Sequence, residues 1–597
     1  MMATRTHAHW ATGVGLVSFA IAATIGACST DRAPFDPGDN YTLAPDASTP
    51  DVACGFRCSR DLKTVLSACQ GSDDVLFTCG ADEGCGDGRC VPACEAAKLS
   101  KGSAGCDFWT LPVDSGKQSK GSCFAAMISN TWDRPVTLTA EYGGDPLDVS
   151  QSVYTVDVGS GTATYARLDG PLPSGQVAIV FLSAAPDTTE FEGILCPQNV
   201  TPAVKFDPIA HGTSRTKAFR LITDAPVSAY SIFPYGGAST YVPTATLLLP
   251  VSSWEKDYVA VSPFAFGFPS ERTLQIVANQ NDTVVSIRPN TEIPAGYGVE
   301  GATTGITQSW TLARGEVLQF TQENLTGSPI SASNPVGIFG GSRCTYVPGD
   351  YGACDVLQQQ ISPTSQWGDQ YALVPYPTRA FEFSSDSREF VPYTLVSAAD
   401  GTVFSYDPVR PAGAPEKLDA GQSATFKTDE LVVVRSQDSK HPFHASVYMT
   451  GQDFGGGLGG LGFRHGDPDF VTLAASDQFL DHYVFFTDYT FPETRLTIVR
   501  RKTAKGFLPV ELECAGVIEG FQPVGTSGEF EYAWVTLTAS SAPVKFPKGE
   551  CGYGRQEAKS DGPFSINVWG LGYFASYGYL AGTGLRPIND FSSPVLK

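Results

Sequence analysis

The chain has 597 residues, 42% hydrophobic, 11% aromatic and 17% charged, which excludes a disordered chain and leaves material for several domains. A formal net charge of −22 excludes a nucleic-acid-binding surface, because so acidic a chain repels phosphate backbones. Against 4 Met stand 62 Gly, 42 Pro, 23 Tyr and 36 Phe, a balance that favours many short strands over helices.

Residues 1–27 read as a lipoprotein signal peptide. Arg5, His7 and His9 precede an apolar run from Ala11 to Ile25. The run is too short for a transmembrane helix and suits a signal-peptide core. It ends Ile25-Gly26-Ala27-Cys28, a lipobox in form. Small residues there expose the backbone to a peptidase, and the Cys28 thiol takes the lipid. No later apolar run reaches 18 residues, so the acyl chains would be the only membrane anchor. Ser29, in place of an aspartate, points to the outer membrane or cell surface. Residues 28–53 then read as an extended tether, with four prolines and five aspartates between Ser29 and Ala53.

Of 15 cysteines, Cys28 takes lipid and 14 remain, an even number suited to an oxidising compartment. Eight of them, from Cys54 to Cys106, crowd into 53 residues with few large apolar neighbours. Residues 54–105 therefore read as a small disulfide-stapled module of open connectivity. Its cysteine spacings and its lack of histidine argue against zinc. Asp82, Glu83 and Asp87 offer oxygen ligands for calcium, but solvated turn acids are the better reading. The remaining cysteines are expected to pair as Cys123–Cys196, Cys344–Cys354 and Cys514–Cys551.

From residue 106 onward two landmarks recur. The first is a proline followed by a strand and a loop: Thr223-Asp224-Ala225-Pro226-Val227-Ser228-Ala229-Tyr230, then Asn334-Pro335-Val336, His441-Pro442-Phe443 and Gly562-Pro563-Phe564. The proline is expected at the start of the strand, where a missing N–H does least harm. The second is Ser252-Ser253-Trp254 with Tyr258, Ser365-Gln366-Trp367 with Tyr371, and Asp477-Gln478-Phe479 with Tyr483. Each is read as a capped helical turn carrying an i, i+4 aromatic pair. The aromatics stand 113 and 112 residues apart, and the first three prolines 109 and 107. One period shared by two landmarks marks repeated units. Their bounds are about 106–257, 258–370, 371–482 and 483–597. A hairpin of Thr273–Ala278 with Thr283–Arg288 is expected inside the second. The fold class is all-β: about four tandem antiparallel β-sandwich-like units after the cysteine-rich module, with a β-propeller as the alternative.

These residues bring a known family into view. Gly105-Cys106-Asp107-Phe108-Trp109, the stretch Thr223 to Tyr230, Tyr235-Gly236-Gly237, Leu247-Leu248-Leu249-Pro250, and Asn334-Pro335-Val336 with Gly340-Gly341 resemble the IgGFc-binding protein N-terminal domain, in a bacterial lipoprotein form. The resemblance spans roughly 105–590. It implies an extracellular binding role; the family is named for animal mucosal proteins that bind antibody Fc. It carries over no catalytic or binding residue.

Chemistry is sparse. Neither HExxH nor GxSxG occurs, and His441 and His444 would point to opposite faces of a strand. Gly457 to Gly462 fits GxGxxG, but loop rather than helix follows it, so it is not a phosphate cradle. No catalytic residue, metal ligand or cofactor is assigned, and the chain is read as a non-enzyme. The expected function is a surface-displayed lipoprotein binding an extracellular protein or glycan, with an adhesion-type role. A structural envelope or matrix component is the alternative, and a secreted hydrolase ranks behind both. Loops 235–247, 341–354 and 451–468 are expected at equivalent ends of three units. Tyr235, Tyr241, Tyr346 and Tyr351 are the binding candidates, with Phe454 beside them.

Overall fold

The structure is a computed structural model. It describes residues 55–67, 74–117, 119–158, 163–186, 193–264, 266, 271–322, 324–348, 354–380, 388–452, 463–591 and 596. Cys28 and the proposed signal peptide and tether lie outside the described residues.

The cysteine-rich module has a three-stranded sheet (Phe56–Cys58, Thr64–Ser67, Val75–Thr78), a two-stranded ribbon (Glu83–Gly86, Arg89–Pro92) and helix α1 (Ala93–Ser100). Its buried hydrophobic cluster is Val65, Cys79 and Cys85. So small a core needs cross-links, and Cys58–Cys85, Cys79–Cys90 and Cys94–Cys106 supply them. The module sits on the β body through Trp132, whose indole N–H donates to Ala81 O at 2.8 Å, and through Lys63–Asp133 and Arg134–Asp82 ion pairs. Asp82 is thereby committed to an arginine, and no cluster of metal-binding side chains occurs among the described residues.

The rest is strand. Each unit has a lead strand, a strand at the recurring proline and a final strand. They are β1 (Gly105–Thr110), β2 (Phe219–Phe233) and β3 (Thr244–Leu247) in the first unit; β4 (Glu255–Val259), β5 (Pro329–Thr345) and β6 (Asp355–Ile361) in the second. The third has β7 (Gln370–Leu373), β8 (Phe443–Met449) and β9 (Asp469–Thr472), and the fourth β10 (Leu480–Thr487), β11 (Gly554–Gly572) and β12 (Ala575–Leu580). All pairings between named strands are antiparallel, which allows short connections and one-faced cores.

The recurring proline has a different place from the one expected. Only in the third unit does the strand begin just after it. In the other three, strand pairing begins well upstream, at Phe219, Pro329 and Gly554, and runs past the proline. The proline marks a corner. Before it, β5 pairs with β4 and with Thr283–Ile287; after it, β5 pairs with Arg272–Ala278 and β6. Strands β2 and β11 switch partners in the same way. A strand that bends between two sheets makes the edge of a sandwich, and a residue without an N–H suits the bend. The expected hairpin fails for the same reason. Arg272–Ala278 and Thr283–Ile287 do not pair with each other but flank the two halves of β5.

The four final strands meet. β3 lies against β6 and β12, β6 against β9, and β9 against β12, which closes the units into a ring. Side chains knit this centre. Gln358 and Gln360 N–H groups donate to Thr244 and Thr246 hydroxyls at 3.0 and 2.9 Å. The Gln359 amide donates to Ala245 O at 2.8 Å and Gly578 O at 3.1 Å, joining three units. Closure is the feature shared with a propeller; the units themselves are curled antiparallel sandwiches.

Candidate binding surface

One end of the ring is set by the aromatic turns. A short 3-10 turn precedes each aromatic (Val251–Ser253, Thr364–Gln366, Ser476–Gln478) and ends before it, so the aromatic and the tyrosine do not share a helical turn. The tyrosine lies on the following strand. Its hydroxyl accepts the N–H three residues back and donates to the carbonyl just after the recurring proline. Tyr258 reaches Val336 O and Tyr371 reaches Phe443 O, both at 2.7 Å, and Tyr483 reaches Phe564 O. The two sequence landmarks keep one period because they are hydrogen-bonded to each other. By register, Phe108 holds this position in the first unit: Gly105 opposes Val227 as Glu255 opposes Val336. The turns are chained too. Gln366 donates to Ser253 O at 2.8 Å, and Gln478 to Gln366 O at 3.2 Å and Arg586 O at 2.7 Å.

The opposite end carries the loops that follow β2, β5, β8 and β11. They interlock. Gly451 N–H donates to Val347 O at 2.6 Å, Phe574 N–H to the Gln452 side chain at 2.7 Å, and Gly466 N–H to Gly572 O at 2.7 Å. A Cβ on Gly572 would lie 2.3 Å from the Ala238 Cβ, so the Ala238 methyl of the first loop packs onto the backbone of the fourth. Beneath them a buried pair stiffens the floor. Arg379 and Glu389 are each 1% exposed and 2.8 Å apart. The same guanidinium donates to Thr450 O at 2.9 Å and Gly466 O at 3.0 Å, and stacks 4.3 Å from the Phe463 ring.

The candidate tyrosines separate here. Tyr241 is 44% exposed and holds φ at 61°, a conformation rare for a bulky residue. Tyr346 is half-buried. Tyr351, Phe454 and the glycines from 457 to 462 lie outside the described residues. Tyr235 is not a surface residue. It is fully buried, 5.0 Å from the Phe181 ring and 3.0 Å hydroxyl to hydroxyl from Tyr165. A hydrophobic cluster shared by the first and fourth units takes it in. Burial pushes its phenol pKa well above the ordinary value. Tyr573, 59% exposed in the turn between β11 and β12, belongs to the surface and has no counterpart among the expected residues. Its signal was the Gly572-Tyr573-Phe574-Ala575 break in the fourth unit's apolar run.

Three disulfides brace the body. Cys123–Cys196 lies behind Tyr235, whose N–H donates to Cys123 O at 2.7 Å. Cys344–Cys354, with Cα atoms 5.1 Å apart, staples the base of the second loop. Cys514–Cys551 crosses the fourth unit's sheet edge. Of the described histidines, His444 is buried against Trp367, His441, His465 and His482 pair with Asp438, Glu493 and Glu557, and His211 bridges Asp114 and Asp207 at 2.7 and 2.9 Å.

Residues 244–570 match the family described as IgGFc binding protein. That is just over half of the chain. The chain belongs to this family. The match starts at the first residue of β3 and ends inside β11, taking in the second and third units and most of the fourth. Neither a curated protein nor a solved structure matches the chain. The family is one of binding domains of extracellular type. No helix among the described residues is long and apolar enough to cross a membrane.

Proposed function

We propose that the chain is a surface-displayed lipoprotein that binds an extracellular protein through the loop end of its ring. Family membership supports a binding role toward an extracellular protein. The observation that carries the choice of surface is Tyr241. A large aromatic sits exposed, in a left-handed backbone conformation that glycine would adopt without strain. Tyr573 stands exposed on the loop that touches its own. Exposed tyrosines on braced loops give large contact area at little entropic cost. A glycan is the other occupant such aromatics suit, and the experiment distinguishes them.

The purified full chain is passed over extracellular protein extracts and a glycan array. Protein capture that falls at least tenfold in the Tyr241→Ser, Tyr573→Ser double variant, with an unchanged melting temperature, supports the reading. Capture that survives the double variant removes this surface. Negative results in both assays favour a structural envelope component. Lipid anchoring at Cys28 is tested apart: Cys28→Ser should abolish incorporation of labelled palmitate and release the chain from the membrane fraction.

A further inference from the structure

The first and fourth units meet to close the ring, and a carboxylate is buried where they do. Asp488 follows β10 and is 1% exposed. Its Oδ1 accepts the Thr490 N–H at 2.7 Å and the Thr490 hydroxyl at 2.6 Å, and its own N–H donates to the Tyr577 hydroxyl at 3.0 Å. Oδ2 has no hydrogen-bond partner among the described residues. The titratable groups facing it are phenols: Tyr165 and Tyr235 from the first unit, Tyr489, Tyr553, Tyr577 and Tyr579 from the fourth. No cation is among the groups that perturb it.

Thr490 passes this arrangement on to the loop end. A Cβ on Gly237 would fall 2.1 Å from the Thr490 hydroxyl, so the two segments press together at a residue that only glycine can be. Gly237, at φ 72°, opens the turn Gly237–Thr240, and the exposed Tyr241 follows directly. A run of contacts thus links Asp488 to Thr490, Gly237 and Tyr241.

A buried carboxylate without a cation is stable as an acid and costly as an anion. We propose that Asp488 is a proton-operated latch on this junction: as the neutral acid it stays buried and the junction holds Thr490 against Gly237, and as the anion, whose burial costs more than the two Thr490 donors repay, it favours opening of the junction and release of the Gly236–Tyr241 loop. Burial, opposed by the two Thr490 hydrogen bonds, raises its pKa from 3.8 to about 6. The stability it contributes is therefore complete below the unfolded value, falls as pH rises from there to about 6, and is gone above it. The latch is closed in acid and opens toward neutrality. This holds whether or not Tyr241 touches a ligand.

Hydrogen exchange of the full chain from pH 4 to 8, corrected for intrinsic rates, tests it. Amides of Gly237–Tyr241 should lose protection between about pH 4 and 6, by up to about tenfold per pH unit for one linked proton, and level off above 6. Amides of β5 and β8 should not. Asp488→Asn keeps the shape and an acceptor but removes the proton, and should flatten the profile. Thr490→Val removes the donors that favour the anion, and should move the midpoint upward. Flat wild-type protection overturns the proposal, as does a profile that the Asn variant retains or that Thr490→Val leaves in place.

Discussion

The two ends of the ring are built by different rules. At the turn end one device is used three times: a tyrosine hydroxyl bridges an N–H on its own turn and the carbonyl after the recurring proline. At the loop end nothing repeats. One loop is stapled by a disulfide, one is a two-residue turn, one rests on a buried ion pair, and one carries a tyrosine in a left-handed conformation. Repetition marks the scaffold, where every unit must solve the same closure problem. Function is expected where repetition stops.

The largest effect should come from the loop end's floor. Glu389→Leu leaves the Arg379 guanidinium buried without its counter-charge and should cost about 3–5 kcal/mol in urea unfolding. Loop-end capture should fall with it, since the same guanidinium holds Thr450 and Gly466 carbonyls in place.

Acid should expose the scaffold next. His444 lies buried on β8, and burial alone pushes its pKa down to about 3. Its folded value is depressed, so the stability present above about 6.5 is lost as pH falls toward 3. Between pH 6.5 and 4.5 the loss should be about 2–3 kcal/mol. His444→Gln should remove most of that slope while leaving the loop end unchanged.

Tyr371→Phe strips the closure device from one unit. It leaves the Gly368 N–H and the Phe443 carbonyl without their partner, at about 2 kcal/mol. Phe108 shows that the position tolerates a phenyl ring where the chain is built around one, so the loss belongs to the unpaired backbone and not to the ring. The smallest effect should be Tyr241→Gly, which relieves the left-handed backbone and should be neutral or stabilising by about 1 kcal/mol. A stability gain with lost capture would set the two ends apart cleanly.

The period, the strand class and the module were legible because they rest on local signals: proline, paired aromatics and cysteine density. The corner was not. Whether β5 stops at Pro335 or bends through it depends on Arg272–Ala278 and Thr283–Ile287 taking opposite halves, a choice made between sheets. Tyr235 misled for a related reason. Beside Gly236 and Gly237 it reads as a loop tip, but its burial depends on Phe181 and Tyr165, more than fifty residues away in the sequence. Arg379 and Glu389 carry no pattern, since only the fold shows that neither meets water. Asp488 was silent for the same reason.

The claim that function sits at the loop end is tested most directly by site-specific photo-crosslinking in the full chain displayed on cells. A photoreactive phenylalanine replaces Tyr241 in one variant and Val517 in another; Val517 is 56% exposed on the fourth unit's scaffold. The account predicts protein adducts from position 241 and none from 517. Equal adducts from both positions, or adducts from 517 alone, would contradict it.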